Sequence, residues 1–243
     1  TSSSSANTES DLAYVQNKGT LVVGITEFEP MDYQNTDGEW IGFDADLAKE
    51  FAESLGVTVE FQLIDWDNKV MELDGKTIDV VWNGMTLTED VLAAMECSQP
   101  YLINQQVVVV PADVAEDYQT EESLADLNFA VEIGSAGCEV AQANGYSYTE
   151  VADQATALLE VASGTADAAI IDSLMAGAMI GEGTSYADMT STVALTSEEY
   201  GVGFRKGSDL AATLNEFLSG KYADGSIQTL AETYGVQDAL VQE

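Results

Sequence analysis

The chain contains no histidine. That absence removes the commonest general base and the commonest transition-metal ligand, and it excludes any Ser-His-Asp or Cys-His catalytic arrangement. Positive charge is nearly as scarce: 7 Lys and Arg stand against 43 Asp and Glu, a formal net charge of −36. Such a surface repels phosphate backbones, which argues against nucleic acid as a partner, and a cleft in it favours cations over anions. The two cysteines, Cys97 and Cys138, lack the spacing of a redox or metal motif. A chain of this length needs no disulfide framework, so both are expected to be free and buried. No run approaches the roughly 20 apolar residues of a membrane span. Nothing in the composition calls for a metal or a cofactor.

What is present is strongly patterned. At 46% hydrophobic content, 243 residues can build one large domain or two lobes with separate cores. Residues 79–100, DVVWNGMTLTEDVLAAMECSQP, organise the rest. The apolar run Ile78, Val80 and Val81 predicts a buried strand, Asn83-Gly84 a turn, and Thr88 with the acidic residues after it a helix start. At such a junction the N–H groups from Met85 to Thr88 lack intrahelical partners and suit a carboxylate or another polar ligand group. A plain βα unit with an N-cap accounts for the same residues.

The alternation continues along the chain. TSSSSANTES, at 1–10, has nothing to bury and reads as a tether, followed by a short helix at 11–17 and a buried strand at 20–25. Glu27 and Phe28 follow at the carboxyl end of that strand, and Asp37-Gly38 marks a hairpin-like turn. Residues 45–55 predict an amphipathic helix, 57–63 a strand, and Trp66 stands just past it. Residues 105–110, QQVVVV, form a strand stopped by Pro111; an acidic, loop-like stretch at 112–128 then leads to a strand at 129–133. Gly134-Ser135-Ala136-Gly137 opens a helix, and without the lysine it is not a nucleotide P-loop. After a helix at 156–161 and a strand at 167–171, Asp172 either caps the helix at 174–180 or faces a cleft. A last strand at 200–205, in which Arg205 is expected to cap or pair structurally as a surface cation, precedes closing helices at 208–218 and 226–234.

EFEP at 27–30, GFDADLA at 42–48, DWD at 65–67, GMTLT with SQPY at 84–101, GSAG at 134–137, and DAAIIDS with YGVGFRKG at 167–207 occur in a specific order and spacing. Together they resemble the polar amino-acid substrate-binding proteins of ABC importers, bacterial extracellular solute-binding protein family 3. The resemblance covers about residues 19–237 and implies an α/β, two-lobed periplasmic-binding-protein type 2 fold. Each lobe is then a mostly parallel sheet flanked by helices, with the ligand cleft between lobes. Residues 1–18 become a disordered tether and short helix, 19–107 plus 200–243 lobe one, and 112–196 lobe two, with hinge crossings near 107–111 and 196–200. This division places the two cysteines in different lobes.

The resemblance further implies an extracytoplasmic monomer that catalyses nothing and needs no cofactor. Its partners are a small amino acid or amine and the ABC permease subunits, and it touches the membrane only through an N-terminal lipid anchor. Two alternatives stay open: a cyclohexadienyl-dehydratase-like enzyme using Glu132 or Glu27 as acid or base, and a ligand-sensing module.

The implied site draws Phe28 and Trp66 as aromatic walls beside Glu27, with Asn83, Gly84, Met85 and Thr86 from the same lobe. Ser135 and the N–H of Ala136, together with Thr86, take a ligand carboxylate, and Asp172 takes its ammonium. Four positions depart from the family pattern, Met31 standing where a second aromatic is usual. Val91 stands where an arginine grips the carboxylate, Ala136 where a hydroxyl is usual, and Glu132 where Gln or Lys is common. Lys69 is the only cation in a cleft-facing segment. The trio Glu27, Glu132 and Asp172 is therefore expected to prefer a cationic ligand.

Overall fold

The computed structural model describes residues 10–242; the tether and lipid-anchor reading for the first residues lies largely outside them. Two mixed sheets form two lobes. The first runs Thr58–Leu63, Thr20–Ile25, Val80–Thr86, Glu198–Phe204 and Glu96–Cys97, with Leu102–Asn104 also pairing to Glu198–Phe204. Its first three strands are parallel and the others antiparallel. The second runs Ser147–Val151, Asn128–Glu132, Ala168–Asp172, Gln106–Pro111 and Met189–Ala194, again three parallel strands followed by antiparallel ones. Parallel strands require covered faces, and helices supply the cover.

In lobe one that cover includes the helix Phe43–Ser54. Phe43, Leu47 and Phe51 recur at i, i+4 and i+8, and so do Asp44, Ala48 and Ala52; all six are buried. The helical period therefore carries Asp44 into the core with its apolar neighbours.

The chain leaves the first sheet after Asn104 and enters the second at Gln106, returning through residues 195–197. Val107 to Val110 are buried inside a strand of lobe two, so the first crossing falls at Gln105, just before the expected 107–111.

Other differences have local causes. Asn83 and Gly84 do not turn; they lie within the strand Val80–Thr86, whose pairing with Glu198–Phe204 shifts register beyond Gly201. The stretch 112–128 contains two 3-10 helices, Ala112–Tyr118 and Glu121–Leu124. Ser147–Val151 is an edge strand without a buried residue, so its sequence carries no apolar alternation. Both cysteines are free, Cys138 buried but Cys97 only half-buried. Arg205 is not a surface cation: it bonds Asp11 at 2.6 Å, Asp79 at 3.0 Å and the carbonyl of Ile78 at 2.7 Å, tying the helix Asp11–Lys18 to lobe one.

Candidate functional site

The carboxyl ends of the parallel strands in both sheets open onto one cavity of about 300 Å³ between the lobes. Open α/β sheets hold ligands at this end. Glu27, Phe28, Trp66, Asn83, Gly84, Met85, Thr86, Val91, Glu132, Ser135, Ala136 and Asp172 all line it.

The lobe-one wall is built by side chains that pin strand ends together. Asn83 accepts from the N–H of Thr26 at 3.0 Å and donates to its hydroxyl at 2.7 Å, which fixes the chain where Glu27 and Phe28 begin. Phe28 is 3% exposed and meets Tyr200 edge-on, ring centroids 6.3 Å apart. Gly84 has φ +54°, and a Cβ there would stand 2.2 Å from the Phe28 ring, so only glycine fits behind this aromatic. Its N–H donates to buried Asp44 at 2.6 Å. Trp66 forms the other side, with the Lys69 ammonium 4.7 Å over its ring and donating to its carbonyl at 3.3 Å. One face of Trp66 thus already carries a cation. Val91 packs among Trp66, Met85 and Met95, so an apolar patch occupies the place the resemblance assigns to an arginine.

Lobe two contributes acids. Asp172 does not cap the following helix. Its carboxylate instead accepts from Gln106 at 2.6 Å, from Gln154 at 3.3 Å and from the Tyr200 hydroxyl. Burial, then Glu198, pushes its pKa up to about 7, although those three donors pull the other way. Glu132 is pushed to about 8 by burial, then by Asp172 and Asp153, against the opposing pull of Gln154 and Lys69. Burial lowers the Lys69 pKa, while Glu132, Asp67 and Glu139 hold it up.

Several donors expected to face a ligand are committed elsewhere. The Thr86 hydroxyl donates to Glu198 at 2.8 Å, and the Ser135 hydroxyl donates to the carbonyl of Glu132 at 2.7 Å while capping the N–H of Cys138. The helix after GMTLT starts only at Glu89, so Met85 and Thr86 remain strand residues. The N–H groups of Leu87 and Thr88 bond the carbonyls of Glu199 at 2.9 Å and Thr86 at 3.0 Å.

Glu198 and Gln106 were not legible as site-supporting residues. Glu198 accepts from Thr86, from Asn104 at 2.9 Å, from Gln106 at 2.6 Å and from Thr196 at 3.2 Å, gathering both crossings onto one carboxylate. Across the cleft, a Cβ on Gly134 (φ +70°) would lie 2.7 Å from an Asp67 carboxylate oxygen and 3.1 Å from its Cα, so the lobes meet there. Among the described residues, no group of three or more Cys, Asp or Glu is placed to hold a metal ion.

Two lobes joined by two crossings, with a half-open cavity of mixed polar and apolar lining between them, have the form of a ligand-binding protein. Residues 21–237 match the model of bacterial extracellular solute-binding proteins, family 3, and the chain belongs to that family. It is similar to the L-cystine-binding protein TcyJ of Escherichia coli K12, 29% identical over 90% of this chain and 84% of the relative. The arginine-binding extracellular protein ArtP of Bacillus subtilis is 28% identical over 89% and 86%. Among solved structures, a mutant of the arginine-binding protein ArgBP from T. maritima superposes with TM-score 0.85 at 32% identity, covering 92% of this chain and 98% of that one. A histidine-bound substrate-binding protein from Streptococcus pneumoniae gives TM-score 0.86 at 26% identity, covering 97% and 100%. At 25% identity over 69% of the chain and 65% of the relative, it also resembles the cyclohexadienyl dehydratase of Pseudomonas aeruginosa.

Proposed function

We propose that this chain is the extracytoplasmic substrate-binding component of an ABC importer, capturing a polar, preferably cationic, amino acid or related small amine by lobe closure. The observation that carries this reading is the cavity itself, in which Phe28 and Trp66 of one lobe face Glu132 and Asp172 of the other. Lobe one, residues 19–104 plus 198–242, and lobe two, 106–194, turn about the crossings at Gln105 and 195–197. The twelve lining residues above form the ligand shell. Delivery to permease subunits by a monomer, and attachment through a lipidated tether, belong to the same proposal.

A thermal-shift screen of amino acids and small amines, followed by calorimetry, tests it. A ligand at about 100 times its Kd adds about 2.7 kcal/mol of stability. Trp66→Ala is expected to weaken that ligand by about 1–3 kcal/mol. A screen in which nothing stabilises the protein overturns the binding reading. The second reading, a dehydratase-like enzyme, draws on Glu132 and Asp172, whose raised pKa values suit a general acid. Turnover of a prephenate-like substrate would establish it.

A further inference from the structure

The cavity is lopsided in charge and poor in anion donors. Its lining acids are Glu27, Asp67, Asp90, Glu132, Glu139 and Asp172, against the single cation Lys69. That cation already rests on Trp66 and lies within the field of Glu132, Asp67 and Glu139. The hydroxyls of Thr86 and Ser135 have each given their one proton to a protein oxygen. The N–H groups of Gly84, Leu87 and Thr88 are bonded to Asp44, Glu199 and Thr86. Near the N–H of Ala136, Glu139 occupies the first turn of the same helix and lines the same cavity. A carboxylate enclosed here meets six acids, and beside the N–H of Ala136 the hydroxyls of Thr26 and Thr88, which only accept from protein groups, are the neutral donors left to it, a costly arrangement for a buried charge.

The opposite holds for an organic cation. Asp172 has its three donors on two oxygens and keeps lone-pair capacity, and Glu132 stands beside it. Val91, Val70, Ala94 and Met85 offer an apolar lining for an alkyl chain.

We propose that the ligand is an amine without a carboxylate, its ammonium or guanidinium group held by Glu132 and Asp172 and its alkyl part lying against Phe28, Trp66 and Val91. This rests on the cavity being the ligand site. A carboxylate-free amine also explains why Val91 can be core: no anion needs a partner there. Because Glu132 and Asp172 are pushed to about 8 and about 7 when the cleft is empty, a cation that binds them displaces protons, and its affinity rises between pH 6 and 8.

The experiment is calorimetry on the full chain, at pH 8 and fixed ionic strength, with three matched pairs: lysine and cadaverine, arginine and agmatine, ornithine and putrescine. The carboxylate-free member of at least one pair is expected to bind about tenfold tighter or better. If the amino acid binds more tightly in every pair that binds, the inference falls and the reading of the site as an amino-acid site stands. If none of the six binds, nor any neutral or acidic amino acid, that reading falls as well. Glu132→Gln, checked for its fold by circular dichroism, is expected to weaken the amine about tenfold. A folded Glu132→Gln protein that binds the amine as tightly as the parent overturns the proposal.

Discussion

Glu132 and Asp172 in lobe two and Asp32 and Asp44 in lobe one are all buried carboxyl groups with raised pKa values, yet they differ in what lies beside them. Asp32 and Asp44 are sealed. Both oxygens of Asp32 lack a hydrogen-bond partner, and burial followed by Asp44 and Asp46 pushes its pKa well above the usual carboxylate range. Asp44, raised to about 7 by burial, accepts from the Tyr101 hydroxyl at 2.7 Å and the Gly84 N–H at 2.6 Å. Glu132 and Asp172 instead line the cavity. The lesson is that an elevated pKa marks burial and neighbouring negative charge, and only geometry separates an acid that holds a wall in place from one that can meet a ligand.

Exchanging one acid from each pair gives the sharpest contrast. Asp172→Asn keeps an acceptor for Gln106 and Gln154 but loses the anion and the acceptor of the Tyr200 hydroxyl, and should cost the bound amine about 2–4 kcal/mol by calorimetry. Asp44→Asn should leave the ligand's affinity unchanged and lose only stability, about 1–3 kcal/mol, because Asn cannot accept from both Tyr101 and Gly84 equally well. If Asp44→Asn weakens the ligand as much as Asp172→Asn does, the distinction between sealed and cavity-facing acids fails.

The same contrast explains what the sequence could reveal. Strands such as Thr20–Ile25 and Ala168–Asp172 are short apolar runs bounded by turn residues, and the residues that end them reach the cavity because strand ends point there. Those relations are local. The network behind them is not: Gln106 and Asp172 are 66 residues apart, and Thr86 and Glu198 are 112 apart. No periodicity announces such pairs. Whether a hydroxyl like that of Thr86 is free for a ligand or committed to Glu198 follows from three-dimensional placement, which the residue type and its spacing do not carry. Asp44 was visible only as part of a motif, since nothing in GFDADLA says which aspartate the helical period buries.

Stability against pH tests both pairs together. A carboxyl whose folded pKa is raised contributes stability that is fully present below its unfolded pKa and is lost as pH climbs through the folded value. With Asp172 and Asp44 at about 7 and Glu132 at about 8, the ligand-free protein should lose stability from roughly pH 4 to pH 8. Glu132→Gln removes one contribution, so the variant should match the parent near pH 4 and exceed it at pH 8.5 by about 1–3 kcal/mol in urea titrations. A variant no more stable than the parent at pH 8.5 would mean that Glu132 titrates like an exposed acid.

Gly134 offers a way to convert one kind of acid into the other. A methyl group there collides with Asp67 across the cleft at an already left-handed φ, so Gly134→Ala should hold the lobes apart. Water would then reach Glu132 and Asp172 while Asp32 and Asp44 stay sealed. Ligand affinity should fall about tenfold, and the carboxyl chemical shifts of Glu132 and Asp172 should titrate at lower pH. Unchanged titration of both acids would show that the Gly134–Asp67 contact does not control access to them.

The smallest effect is expected at Lys69, and its sign discriminates between ligand classes. Lys69 is the single cation lining the cavity, it helps keep Glu132 from rising further, and it covers one face of Trp66. Lys69→Met preserves much of the alkyl stem while removing the charge. Three consequences follow for an amine: a like charge disappears, Glu132, Asp67 and Glu139 lose a competing partner, and the freed face of Trp66 can take the ligand's cation. Against these, Glu132 holds its proton to higher pH, which works against the amine near neutrality. Above pH 9 the first three effects stand alone, and the amine should bind tighter by about 0.5–1 kcal/mol, shrinking towards zero at pH 7. A ligand with a carboxylate would behave oppositely at every pH, because Lys69 is the one charged partner available to it. Calorimetry of Lys69→Met at pH 7 and pH 9 therefore separates the two classes: a loss at both pH values assigns Lys69 to a ligand carboxylate, and a gain that grows with pH assigns the cavity to a cation.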